Sequence, residues 1–253
     1  MIFDMTKRNG GGGFDWLQYA RNLGGMFYIG YATTYMFPFD TIEINAPLVG
    51  NQNTMLSSFF STGAFSTASQ KKRGVKKIVL NIGHIGLASN SSAFNGASDL
   101  EEIEINADNS TNLITDHIRN AFSYLPALKK ITGIVFNANG DRWCYQTSAN
   151  VIYFPTGSAL EEIRFVPDSM SYNGTYWFAE HGKLSDESLA SIANAMDASG
   201  SVNVTKAIQL HSTASGKLST IMGTVSDGFF TLDPNGTTTL LDFITQTKGW
   251  TVT

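Results

Sequence analysis

A short template, apolar-x-x-Ile-x-apolar, recurs along this chain, and repetition at tens of residues constrains a fold more than any local propensity. It fits Phe39/Ile42/Ile44, Val75/Ile78/Leu80, Leu100/Ile103/Ile105 and Leu160/Ile163/Phe165. Leu128/Ile131 begins a further copy that ITGIVF blurs with an insertion, and VTKAIQLHS places Ile208 and Leu210 in the same relation. The starts at Phe39, Val75, Leu100, Leu128 and Leu160 lie 36, 25, 28 and 32 residues apart. Apolar residues at every second position read as short strands with one inward face. An Ala-Phe pair precedes three copies, Ala64-Phe65, Ala93-Phe94 and Ala121-Phe122, and in the last two the ring stands six residues before the template. A ring at fixed offset predicts an interior column of stacked rings, each covering the face its neighbour exposes.

The two variable positions that follow the first apolar residue read, in chain order, Asp40-Thr41, Lys76-Lys77, Glu101-Glu102, Lys129-Lys130, Glu161-Glu162 and Thr205-Lys206. Their sign alternates from copy to copy. If the copies stack as parallel neighbours about 4.8 Å apart, each charged pair faces its opposite above and below. Such exposed pairs are weak, so the expected effect is on register more than on stability.

With 253 residues and 42% apolar content the chain can bury a substantial core, as one large domain or two small ones. No apolar run approaches the roughly 20 residues that span a bilayer. The start, MIFDMTKRNGGGGFDW, places glycines where a secretory signal would carry its apolar segment, so no export signal is expected. The net charge of −4 and the single short basic run at 71–73 argue against a nucleic-acid partner. Cys144 is the only cysteine, which excludes an internal disulfide and a cysteine-based zinc site. A charged fraction of 15%, beside abundant Gly, Ser, Thr and Asn, suits an extracellular or virion protein better than a cytosolic enzyme.

The combination in AFNGASDLEEIEI resembles the BspA-like leucine-rich repeat proteins of bacterial surfaces, and TMLSSFF and LGGMFYIG look like degenerate forms of the related Met-Phe repeats. This resemblance covers roughly residues 24–166. The tail, KLSDESLASIANAMDASGSVNVTKAIQLHSTASGKLSTIM followed by FITQTKGWTVT, is similar to the closing segment of repeat proteins encoded by phages and prophages of gut bacteria. What the resemblance implies is an α/β fold: a right-handed leucine-rich-repeat solenoid with parallel strands, five to six irregular coils and both ends capped. It carries no family active site.

Three regions follow. Residues 1–36 form an arm and an aromatic cap: Gly10 to Gly13 hinge MIFDMTKRN to the body, and DWLQYARNL with Asp15 as N-cap predicts a short helix. Either the terminus frays or, the preferred reading, the arm docks on a neighbouring virion subunit or particle. Residues 37–182 are the repeats, and residues 183–253 close them. There SDESLASIANAM predicts a helix with Ser185 as N-cap, followed by a strand at 206–211, helices near 213–222 and 238–247, and a closing strand WTVT. Gly249 stands at a helix C-cap position.

His84, His117, His181 and His211 show neither HExxH nor short His-x-His spacing, so no metal site is expected, and each is read as capping a turn or facing water. No Gly-x-Ser-x-Gly elbow or phosphate loop is present, and no catalytic residue or cofactor is assigned. Two inserts, at 137–157 and 167–182, interrupt the repeats and carry Trp143, Tyr145, Tyr153, Tyr172, Tyr176 and Trp177 among small polar residues. On loops, such rings would stack on sugars or grip a protein; packed inward, they would fill the core. The sequence therefore points to a non-enzymatic binding or structural module: a phage or prophage virion protein (tail, baseplate or capsid decoration) contacting a host-surface glycan or protein, and a possible homo-oligomer. The alternatives are a bacterial cell-surface adhesin and, third, a glycan-cleaving enzyme.

Overall fold

A computed structural model describes residues 2–4, 35–36, 40–46, 72–82, 94, 97–107, 113–114, 122, 125–138, 151–153, 159–171, 174–198 and 205–253. The elements run β1 (Ile2–Asp4), β2 (Tyr35–Met36), β3 (Thr41–Ala46), β4 (Lys72–Arg73), β5 (Lys77–Ile82), β6 (Glu102–Asn106), β7 (Leu113–Ile114), β8 (Lys130–Thr132), β9 (Phe136–Asn137), β10 (Val151–Tyr153) and β11 (Thr175–Phe178). Helix α1 (Asp186–Ala195) follows, then β12 (Ala207–Leu210), α2 (Ser212–Lys217), β13 (Met222–Ser226), β14 (Phe229–Leu232) and β15 (Thr238–Thr239). The chain ends with α3 (Leu240–Asp242), which runs into a π-turn at Phe243–Thr247, and β16 (Thr251–Val252). The class is mixed α/β with parallel strands.

The template segments pair as parallel neighbours in the order β3-β5-β6-β8, with β1 on the outer edge of β3 and the Ile columns in register: Ile42 on Ile78, Ile78 on Ile103, and Ile103 on Ile131. Ile42, Ile44, Ile78, Leu80, Ile103, Ile105 and Ile131 are buried. Each such side chain contributes about 1.5–3 kcal/mol relative to an exposed one. The residues between them face outward, and apart from Val79 they are polar, so this parallel sheet buries one side and exposes the other, unlike parallel sheets covered on both faces.

Where each rung begins, one carbonyl accepts two N–H groups from the next. Asp40 accepts from Lys76 and Lys77, Lys76 from Glu101 and Glu102, Glu101 from Lys129 and Lys130, and Lys129 from Glu161 and Glu162. Single parallel bridges, Lys130 with Glu162 and Phe136 with Phe165, carry the pairing on to the segment at 161–166. The series ends on α1 rather than on another strand. Glu161 O accepts from the Ser185 N–H and from Ser188 Oγ at 2.9 Å, the same two-donor fork with a hydroxyl in place of an amide. Ser188 Oγ and Ser191 Oγ also accept the Ile163 and Phe165 N–H groups at 3.1 and 2.9 Å. The helix thus satisfies a sheet edge that would otherwise be open to pairing. The expected last member of the charge series, Thr205-Lys206, stands outside it: Lys206 leads into β12, and its Nζ donates to Ala198 O at 3.0 Å.

A run of rings crosses the interior. Phe94 stacks on Phe122 at 5.6 Å and 20°, and Phe136, Phe165 and Phe178 continue from Phe122 at 5.7, 5.9 and 6.0 Å. The pair at fixed offset is therefore stacked as the sequence predicts.

A second parallel sheet, β10-β11-β12-β16, follows. The two inserts, loops in the sequence reading, each supply a strand to it, because VIY and TYWF alternate as well as the template segments do. Helix α1 starts at Ser185, whose side chain accepts from the Ser188 N–H, as its sequence predicts. Helix α2 ends at Lys217, short of the expected boundary near 222. Beyond it, in a stretch where the sequence pattern predicts no strand, β13 and β14 form an antiparallel hairpin with β15 on its other side. Its turn, Asp227-Gly228, has φ of 52° and 78°, the two positive values a two-residue hairpin turn needs. The third helix is one short α-turn and a π-turn, closed by Gly249 at φ 70°.

Ile2–Asp4, expected as an arm reaching a neighbouring subunit, pairs in parallel with Glu43–Asn45 of its own chain. The expected helix DWLQYARNL, the Gly10 to Gly13 hinge, Phe65, His84, His117 and Cys144 lie outside the described residues.

Candidate functional site

Two polar surfaces result from this pairing. The first is the outward face of the β1-β3-β5-β6-β8 sheet. In register, Lys77 lies beside Glu102, Glu102 beside Lys130 and Lys130 beside Glu162. Lys77 Nζ stands 3.2 Å from Glu102 and 3.3 Å from Glu104, and Lys130 Nζ stands 3.0 Å from Glu162. In the adjacent series Lys129 Nζ stands 2.6 Å from Glu101. Hydrogen bonding to Glu101 raises the Lys129 pKa, and the same bond lowers that of Glu101. Glu162 raises Lys130, while Glu102 and then Glu104 raise Lys77. Glu104 is lowered first by the amide of Asn106 and then by Lys77. Every direction favours the charged form, as expected where opposite charges meet.

Beside the charges runs a row the template did not reveal. Asn45, Asn81 and Asn106 are register partners, and their amides link head to tail, Asn81 Nδ2 to Asn45 Oδ1 at 2.5 Å and Asn106 Nδ2 to Asn81 Oδ1 at 2.8 Å. An Asn directly after the second apolar position in three consecutive copies was the available signal. The row stops where Gly133, at φ 77°, passes so close that a Cβ there would meet Ile105 O at 2.4 Å and Asn106 Oδ1 at 2.7 Å. This glycine is the insertion that blurs the fourth copy: it ends β8 and sends the chain to β9, which pairs with β7 instead.

The second surface lies on the β10-β11-β12-β16 sheet and concerns the predicted ligand-binding rings. Alternation along β11 separates two adjacent ones. Tyr176 points inward and is fully buried, with its hydroxyl donating to Ala138 O at 3.0 Å and its ring 5.8 Å from Trp250. It is a core residue, which corrects the reading of this ring as part of a loop surface. Trp177 points the other way and is half-buried, beside Thr175 on its own strand and exposed Gln209 of β12, its register partner. The position of Tyr153 is in register with Trp177 on the other side. Trp143, Tyr145 and Tyr172 lie outside the described residues, as does the side chain of Tyr153.

Of the histidines, His211 caps α2, its Nδ1 accepting the Thr213 N–H at 3.1 Å, which fits the turn-capping expectation. His181 is instead buried, 6.1 Å from the ring of Phe178, because it closes the run of core rings. Among the described residues no three His, Cys, Asp or Glu side chains are grouped so as to hold a metal ion.

Lys248 is a third polar feature, and no sequence motif marks it. It is 2% exposed, donates to Asp168 Oδ1 at 2.6 Å and lies 5.4 and 5.6 Å from the ring centres of Phe229 and Phe243. The lysine ties β14 and the π-turn to the segment after Phe165, a connecting role. No family model, curated protein or solved structure matches the chain.

Proposed function

We propose that this chain is a non-enzymatic binding module, a leucine-rich-repeat solenoid of the BspA-like kind that serves a phage or prophage virion in contacting a glycan or protein of the host surface. The observation that carries this reading is the position of Trp177. Its ring is half-buried on the outward side of a parallel sheet, between the register positions of Tyr153 and Gln209, with Thr175 two residues before it. A broad ring fixed on a strand beside the polar side chains of Thr175 and Gln209 suits stacking on a sugar or gripping an exposed loop, and the strand holds it with little loss of conformational freedom on binding. The solenoid part of the reading is supported by rungs that stack in parallel and in register, with a ring column inside. The virion part rests on the resemblance of residues 183–222 and 243–253 to the closing segment of phage-encoded repeat proteins.

Substituting Trp177→Ala should lower binding to host cells or to arrayed surface glycans by roughly tenfold or more, while the far-ultraviolet circular dichroism and the melting transition stay in place. Binding unchanged in the folded variant would overturn the assignment of this ring to the contact surface. Detection of the chain in purified virions would test the particle, and its detection anchored on a bacterial surface would favour an adhesin.

A further inference from the structure

We propose that the charged face of the first sheet is a self-complementary surface on which a second copy of this chain docks face to face. The order and the number of charges along the stack point to this, independently of what Trp177 contacts. Lys77, Glu102, Lys130 and Glu162 follow one another in register, and their side chains are nearly equally exposed, at 37, 39, 38 and 38%. The array is bounded at both ends. Beyond Lys77 the register partner is the neutral Thr41, and beyond Glu162 the fork of Glu161 is filled by Ser185 and Ser188 of α1, so no further rung follows.

Four alternating charges have a property that five lack. Reversing the order of an even alternating row and laying it over the original brings every charge onto its opposite; an odd row brings like onto like. A two-fold axis parallel to the strands, between β6 and β8, performs this reversal and turns the two outward faces toward each other. Lys77 then meets Glu162 of the second copy, Glu102 meets Lys130, and the same two contacts recur by symmetry, as an isologous interface requires. The neighbouring series, linked rung to rung by backbone hydrogen bonds, runs Asp40, Lys76, Glu101, Lys129 and Glu161; its last four charges obey the same reversal about the same axis, and Asp40 falls opposite the neutral Ser185. In the next row Glu104 comes opposite the neutral Thr132. Lys77, Glu102, Lys130 and Glu162 thus keep their partners within the sheet and each gains another across the interface, in a checkerboard. The patch spans four rungs of about 4.8 Å each, well below a standard interface, so the association is weak and sensitive to salt.

The test is a fourfold inversion, Lys77→Glu, Glu102→Lys, Lys130→Glu and Glu162→Lys, which preserves the alternation and the self-complementarity of this row and gives up only the Lys77 contact with Glu104. Sedimentation velocity at low salt should show wild type and the inverted chain each forming dimers that dissociate as salt is raised from about 50 to 500 mM. A mixture, with one chain carrying a fluorescent label, should show mixed dimers much rarer than homodimers, because wild-type Lys77 would face the positive charge brought in by Glu162→Lys while only the neighbouring series still matched. Mixed dimers as abundant as homodimers, or a wild type monomeric at every salt concentration, would overturn the proposal. Should the fourfold variant fail to fold, Glu102→Gln with Lys130→Gln removes the two central contacts. The folded double variant should lose the salt-sensitive association, and unchanged dimerisation there would equally refute it.

Discussion

From β3 to β8 the rungs repeat their contacts: an Ile on an Ile and one carbonyl shared by two N–H groups at every step, an amide on an amide from β3 to β6, and a lysine beside a glutamate from β5 to β8. Among the described residues of 186–253 only the parallel pairing of β12 with β16 is of that kind, and the other contacts between distant segments are made singly. Asn194 clasps β14 by donating to Phe230 O at 2.8 Å and accepting the Phe230 N–H at 2.7 Å. Trp250 donates to Asp197 O at 3.0 Å, and Lys248 reaches Asp168 across 80 residues of sequence. The first region spreads its stability over equivalent sites, each set by near neighbours in a short pattern. The second concentrates it in single side chains that join distant segments.

The largest effects should therefore come from the closing region and be uneven there. Trp250→Ala removes a fully packed ring and its indole hydrogen bond and should cost about 3–5 kcal/mol in denaturant unfolding. Ile78→Ala, Ile103→Ala and Ile131→Ala should each cost about 2–5 kcal/mol and agree with one another within about 1 kcal/mol, because the three occupy equivalent places. A wide spread among these three would break the comparison. One step smaller, Asn194→Ala leaves the Phe230 N–H and carbonyl without that partner and should cost about 1–3 kcal/mol, whereas Asn81→Ala, in a half-exposed amide row, should cost less than about 1 kcal/mol.

The smallest effects belong to the charge series. Lys129→Glu with Lys130→Glu should lower the melting temperature modestly, and more at low salt than at high. Acid sharpens the same point. The folded-state pKa values of Glu101 and Glu104 lie below the ordinary value of 4.5, so these groups add stability that is fully present above that value and is lost as pH falls through the lowered folded values. Glu101→Gln should flatten this acid limb in a series of melting curves, and an unchanged limb would show that the ladder carries no linkage.

The stack could be read in advance because its determinants are short. Ile42, Ile78, Ile103 and Ile131 sit at one place in one template, and a period of two has only one way to bury one face. The same property hid the asparagine row, since a template defined by its apolar positions passes over a polar one that follows it. The hairpin at 222–232 was marked by Asp227-Gly228, yet Gly223, which lies against the ring of Phe230, gives the strand a weak apolar pattern. The rings of the inserts shared a composition, and only the pleat of β11 distinguished Tyr176 from Trp177.

The rungs, their parallel order through the alternating charges, the spacing of Phe94 and Phe122, and the Ser185 helix start were all legible in the residue string, because each depends on positions a few apart or on a pattern that repeats. Where the stack ends, which aromatic faces water, and how Lys248 finds Asp168 emerged only from the folded arrangement. Those outcomes depend on which distant segments come to share one edge, and no local period encodes that meeting.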